Sequence, residues 1–162
     1  MTAPLFQLTL ADQDQTEALA RQMAPLLRAG DVLLLSGSIG AGKSTFARAV
    51  IRAATGNPAE DVPSPTFTLV QSYETPQGEI WHSDLYRLGH PDEVFELGLY
   101  EAFDSAICLV EWPDRLGDLT PAAALALDFT AGDPAHHLTI SGDADWARRL
   151  AALSPAPKAP AR

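Results

Sequence analysis

The sequence predicts a three-layer α/β fold around a mixed, mainly parallel sheet that contains an antiparallel hairpin, and three observations carry this expectation. Val32–Ser36 is an uninterrupted apolar run with the composition of a strand covered on both faces. It leads directly into a glycine-rich loop, Gly37–Ser44, which in turn opens a helical pattern. Further along, two β-type segments are joined by Thr75-Pro76-Gln77-Gly78, a turn composition.

The elements follow in order. Alternation at Phe6, Leu8 and Leu10 predicts a first strand, after which Asp12 or Asp14 caps a helix running towards Ala29 that Pro25 kinks or shortens. Gly30 and Asp31 turn the chain into Val32–Ser36, the central strand. Phe46, Val50 and Ile51 then recur at helical spacing over Ser44–Ala54, ending near Gly56 and Pro58. Asp61–Pro65 is a proline-punctuated loop, and Thr66–Tyr73 and Glu79–Tyr86 are the two strands of the hairpin. A helix from Pro91 to about Phe103 breaks near Gly98, and Ala106–Glu111 returns to strand character. Leu125–Phe129 and His137–Ile140 are weaker strands, followed by a short helix over Asp143–Leu153. Residues 1–153 are expected to form a single domain, and the Pro- and Ala-rich stretch 154–162 a disordered tail.

Composition sets the class. Of the 162 residues 46% are hydrophobic and 20% charged, ordinary globular usage. The longest apolar runs fall far short of the roughly 20 residues of a membrane span. Met1–Leu10 lacks the basic start and apolar core of a secretory signal, so a cytoplasmic protein is expected. The single cysteine, Cys108, lies in an apolar run and is expected to be buried. A net charge of −10 disfavours tight direct binding of RNA or DNA, which relies on Lys and Arg neutralising phosphates. The only lysines are Lys43 and Lys158, and the first sits in the glycine loop.

That loop, Gly37-Ser38-Ile39-Gly40-Ala41-Gly42-Lys43-Ser44, matches the Walker A pattern G-x-x-x-x-G-K-S/T. With glycine at about 7% of residues, chance yields such a match in roughly half a per cent of chains this long. Here it also lies between a strand and a helix. Glycines let backbone N–H groups close around phosphate oxygens, and the helix directs its positive end at them. The candidate phosphate contacts are Gly37, Ser38, Gly40, Ala41, Gly42, Lys43, Ser44 and Thr45. Lys43, expected to be an exposed loop lysine, reaches the β and γ phosphates, and the Ser44 hydroxyl faces a magnesium ion.

Such a site also needs a carboxylate at the end of a neighbouring strand, to hold magnesium or to position the attacking water, and two are candidates. Glu111 closes the apolar run Ile107–Val110, and Asp84 closes Ile80–Ser83, sharing a strand face with His82 and Tyr86. In Ser64-Pro65-Thr66 the prolines stiffen the loop, so that Thr66 can act as a switch-loop hydroxyl sensing the γ phosphate. The base is expected to be adenine, because the Asn-Lys-x-Asp element of guanine-specific proteins is absent and the one asparagine, Asn57, precedes Pro58. Trp112, at a strand end beside Glu111, caps the core or anchors a partner.

Several short motifs in order resemble the TsaE family, the ATPase of bacterial threonylcarbamoyladenosine synthesis on tRNA. They are Gln15–Leu19, Gly37–Thr45, Ser64–Val70, His82–Leu88 and Cys108–Pro113, within a resemblance covering about Leu8 to Ser141. The resemblance implies ATP and Mg2+ as ligands, magnesium association for Ser44 and Glu111, and a requirement for Asp84 in hydrolysis. It implies an ATPase that is weak alone and acts with the TsaB–TsaD pair, those partners holding the tRNA whose adenosine beside the anticodon is modified. Two positions depart from the family pattern: Ser38 stands where it usually has aspartate, and a late arginine falls at His136 or His137. A competing class is a small-molecule kinase, which needs an acceptor pocket and a basic lid, and a third is a binder that does not hydrolyse.

Overall fold

The structure is a computed structural model that describes residues 4–38, 40–151 and 153; Ile39 and the expected tail at 154–162 lie outside the described residues. Seven strands form one sheet: β1 (Pro4–Leu10), β2 (Val32–Gly37), β3 (Val70–Thr75), β4 (Gly78–Asp84), β5 (Ile107–Glu111), β6 (Leu125–Thr130) and β7 (His136–Ser141). Their spatial order is β1-β7-β6-β2-β5-β4-β3. The four inner strands β6, β2, β5 and β4 run parallel, and antiparallel pairings flank them at both ends. The mixed, mainly parallel sheet that the sequence predicts is therefore present, with β2 at its centre.

The centre of the sheet is parallel because its strands are apolar on both faces, and all five residues of β5 are buried. On one face Leu33, Leu35, Leu109 and Ile107 pack against α1 (Gln13–Met23), α2 (Lys43–Thr55) and α5 (Ala144–Leu150). On the other, Val32, Leu34, Cys108 and Val110 pack against α3 (Glu93–Glu96) and α4 (Leu99–Ser105). Cys108 is fully buried, and desolvation pushes its thiol up to about 12, as expected of a core cysteine.

Local signals explain the helix limits. Asp12, the first of the two candidate caps, accepts from the Gln15 amide at 3.0 Å. Pro25 ends α1 early, and the chain continues as one 3-10 turn, Ala24–Leu26. Gly98, at φ +77°, separates α3 from α4.

Three boundaries differ from expectation. Thr66–Leu69 is a turn and not the start of a strand: Leu69 adopts φ +69° and donates its amide to Pro65 O at 2.7 Å, which curls these residues out of the sheet. β4 stops at Asp84 rather than Tyr86, because the Asp84 side chain accepts from the Tyr86 amide at 3.0 Å and turns the chain out of the sheet. Pro113–Leu119 forms 3-10 turns that the sequence marks only by its proline.

The end of the fold remote from the glycine loop is tied by an ion pair. Arg149 of α5 donates to Asp31 Oδ1 at 2.9 Å and to Leu26 O at 2.7 Å, while Asp31 Oδ2 accepts from the Arg28 amide at 2.8 Å. Removing one member of a largely desolvated pair strands the other. Asp31→Ala is expected to lower stability by about 3 kcal/mol, read as an earlier urea midpoint with unchanged slope.

Candidate functional site

The parallel register brings three strand ends to one edge. Leu35 of β2 pairs with Glu111 of β5, and Glu111 pairs with Asp84 of β4. In an open parallel sheet the crevice beyond the carboxyl ends is where ligands bind. A cleft of about 690 Å3 opens there, a volume in the usual range of ligand sites.

Its floor is the glycine loop. Gly37, at φ +132°, passes so close to β6 that a Cβ would overlap the main-chain oxygen of Phe129. Gly42, at φ +110°, caps α2 and lets the chain turn sharply into the helix. The first-turn amides of α2 have no partner within the helix and face the cleft edge where Gly40, Gly42, Lys43, Ser44 and Thr45 line the wall. Gly37, Ser38 and Ala41 are not part of that wall. Gly37 supplies a carbonyl to Lys43, the Ser38 carbonyl accepts from the Ala41 amide at 3.2 Å, and Ala41 is packed in the core.

Lys43 is not the exposed loop lysine that its position suggests: it is 5% exposed. Its ammonium donates to Gly37 O at 2.6 Å and lies 3.7 Å from the centre of the Trp112 ring. Burial lowers its pKa from the ordinary lysine value, against the opposing pull of the Glu111, Asp84 and Asp114 carboxylates. Trp112, at φ +58°, is half-buried, with Lys43 on its ring and Tyr86 4.9 Å away. It therefore neither caps the core in full nor stands free.

Each carboxylate has its own set of donors. Glu111, 3% exposed, accepts from Ser44 Oγ at 3.0 Å on Oε1 and pairs through Oε2 with His82 Nε2 at 2.7 Å. Asp84, 6% exposed, accepts from the Tyr86 amide at 3.0 Å and from Thr66 Oγ1 at 3.3 Å. Thr66 in turn shares a 2.7 Å hydrogen bond with Ser64. The Ser64–Thr66 loop is thus joined to Asp84 through side chains although it is outside the sheet. Of the two histidines at the departing position, His136 lines the cleft, while His137 is exposed and bonds to Thr9 at 3.4 Å.

Sequence reasoning misses four contributors. His82 is legible in the sequence as a face-mate of Asp84, a spacing that also puts it on the side of the sheet where Glu111 points. Arg48 follows Ser44 by four residues, one helical turn, and lines the cleft. Asp12, recognised as a cap, also lines it, as does Thr16.

An alanine methyl at Gly37 has to displace β6 and also sits at a positive φ, so Gly37→Ala is expected to cost about 2 to 3 kcal/mol by denaturant titration. Trp112→Ala, which removes a half-buried ring and the cation stacked on it, is expected to cost less than the roughly 3 to 5 kcal/mol of a core tryptophan.

A family model described as threonylcarbamoyl adenosine biosynthesis protein TsaE matches residues 10–138. The tRNA threonylcarbamoyladenosine biosynthesis protein TsaE of Rickettsia bellii is 37% identical over 123 residues, 76% of this chain and 85% of the relative. The protein of the same name from Bacillus subtilis is 35% identical over 130 residues, covering 79% and 80%. Among solved structures, a crystal structure of YdiB from Bacillus subtilis superposes with a TM-score of 0.69 at 27% identity and covers 91% of each chain. With a family model matching most of its length and relatives more than 30% identical over three quarters of it, the chain belongs to the TsaE family of threonylcarbamoyl adenosine biosynthesis proteins.

Proposed function

We propose that the chain binds ATP with magnesium in this cleft and hydrolyses it, weakly alone and faster with the partner proteins TsaB and TsaD, as the ATPase of tRNA threonylcarbamoyladenosine synthesis. The observation that carries the reading is the Ser44–Glu111 pair at the mouth of the phosphate loop, 3.0 Å apart, beside a second carboxylate held by the Thr66 hydroxyl.

The residues fit magnesium. Ser44 and Glu111 offer hard oxygen donors, and among the described residues no group of three or more His, Cys, Asp or Glu side chains converges as a complete protein cage. Magnesium is characteristically held by one or two protein oxygens with phosphates and waters completing the shell. When bound it neutralises charge developing on the phosphates.

The chain's own residues do the rest. Amides at the α2 N-terminus bind phosphate oxygens, and Lys43, now on Gly37 O, exchanges that carbonyl for the β and γ phosphates. Asp84 orients the attacking water. Thr66, bonded to Asp84, carries the state of the γ phosphate into the Ser64–Thr66 loop. Arg48 and His136 line the remainder of the cleft, and Trp112 stands where docking of TsaB and TsaD can be coupled to the position of Lys43. The acidic surface leaves contact with tRNA mainly to the partners. No helix among the described residues is long and apolar enough to cross a membrane, and we place the protein in the cytoplasm.

The test is release of phosphate from labelled ATP with and without TsaB–TsaD and with a panel of nucleosides. Partner-dependent release of free phosphate supports the reading, and transfer to a nucleoside replaces it by a kinase. Lys43→Ala is expected to abolish hydrolysis. Asp84→Asn is expected to lower turnover with nucleotide still bound, and Glu111→Gln to raise the magnesium concentration required. The reverse pattern in magnesium titrations exchanges the roles of the two acids.

A further inference from the structure

His82 is a buried polar ring in a strand that is otherwise packed. It is 1% exposed, and only one of its nitrogens has a partner: Nε2 lies 2.7 Å from Glu111 Oε2, while Nδ1 has no hydrogen-bond partner among the described residues. A leucine or phenylalanine in the same place would fill the space without leaving a buried nitrogen unmatched, so packing alone accounts poorly for an imidazole here. Its one polar contact is the bond to Glu111.

With Glu111 as a carboxylate, which only accepts, the bond assigns the shared hydrogen to Nε2 and makes the ring a donor to Glu111. Glu111 is thereby held at both oxygens: Oε2 by His82 from the core side, Oε1 by Ser44 from the helix side. The partners come from different elements. His82 registers with Leu109, one face-position before Glu111, and reaches diagonally along the sheet, whereas Asp84 is the residue level with Glu111. Were Oε2 released, the carboxylate could rotate away from Ser44 or lean towards the neighbouring carboxylate.

We infer that His82 is a positioning residue: its Nε2–H fixes the Glu111 carboxylate so that Oε1 and the Ser44 hydroxyl together present a preformed pair of oxygens to a divalent cation carried in with a nucleotide. The inference rests on the magnesium–nucleotide reading of the cleft. Outer partners that orient a ligand in this way are worth about 10- to 100-fold in metal affinity. His82 touches neither nucleotide nor phosphate itself; its effect is confined to magnesium-dependent binding.

Equilibrium binding of ADP to the full chain, followed by calorimetry in EDTA and across a magnesium titration, tests this with no reliance on turnover. The variants are His82→Leu, which removes the donor, and His82→Gln, whose amide nitrogen can stand near the position of Nε2. The expected result is that His82→Leu binds ADP in EDTA like the parent but needs about tenfold more magnesium to reach the tighter state, and that His82→Gln restores most of the difference. A magnesium midpoint in His82→Leu equal to the parent's overturns the inference. So does a His82→Gln protein that folds with the parent's melting temperature yet loses as much as His82→Leu, because the donor is then irrelevant. Loss of ADP binding in EDTA and magnesium alike, in both variants, marks His82 as structural and overturns it too. A parent protein that binds no ADP sinks the nucleotide reading itself, and one that binds ADP with no response to magnesium sinks its magnesium part, outcomes visible before any variant is made.

Discussion

A carboxylate buried at the meeting point of three strands has to be hydrogen-bonded, and much of the site's arrangement follows from how Glu111 meets that constraint. Its exposure is only 3%, so water cannot satisfy it, and an unpaired charge in that position would cost several kcal/mol. The donors arrive from two directions. Ser44 reaches it because Gly37 and Gly42 bend the chain tightly enough to start α2 directly above the end of β5, and His82 reaches it because β4 and β5 run parallel in a register that puts their polar ends level. The adjacent Asp84 is handled separately, by a main-chain amide and a threonine hydroxyl. Two like charges on neighbouring strands coexist because each has its own donors.

The rigid and adaptable parts of the cleft divide along these lines. β5, Val32–Leu35 of β2 and His82–Asp84 of β4 are buried and hold Glu111 and Asp84 in fixed relation. Lys43, Trp112, Thr66 and Ser64 are held at the strand ends by a few side-chain contacts, namely a carbonyl, stacked rings and a chain of hydroxyls. Such contacts can be exchanged for contacts to a ligand without disturbing the core. The desolvation that lowers the Lys43 pKa has the same meaning: the ammonium is sheltered under an indole with its main partner a carbonyl, a poorer companion than a phosphate.

The parts of this architecture visible in the sequence were those with a strong local cause. Val32–Ser36 reads as a covered strand because nothing polar interrupts it, Gly37–Ser44 as a glycine loop because its glycines, lysine and serine keep the Walker A spacing, and Asp12 and Pro25 as helix limits because caps and proline act on their immediate neighbours. Glu111 and Asp84 were legible as strand-terminal acids. What could not be read is whatever depends on pairs distant in the chain. That His82 meets Glu111 follows from the β4–β5 register, and that Lys43 is buried follows from Trp112 folding back at a positive φ, which no local rule assigns to a tryptophan. The curl at Thr66–Leu69 was masked by β-rich composition and is produced by the positive φ of Leu69 and its bond to Pro65.

The level register of β2, β5 and β4 also governs which changes in chain length the protein can absorb. Between β4 and β5 the chain leaves the sheet for more than twenty residues, through α3 and α4, and residues added at its exposed turn, Gly89–Asp92, lengthen the crossover without shifting either strand. A single residue inserted inside β5 is a different matter. Side chains alternate across a strand, so everything beyond the insertion would move to the opposite face, carrying Glu111 away from Ser44 into the apolar layer of Val94 and Leu99. Length variation in this chain is thus confined by the sheet's two-residue period to segments that do not carry a site residue across the edge, whatever the substitutions elsewhere permit.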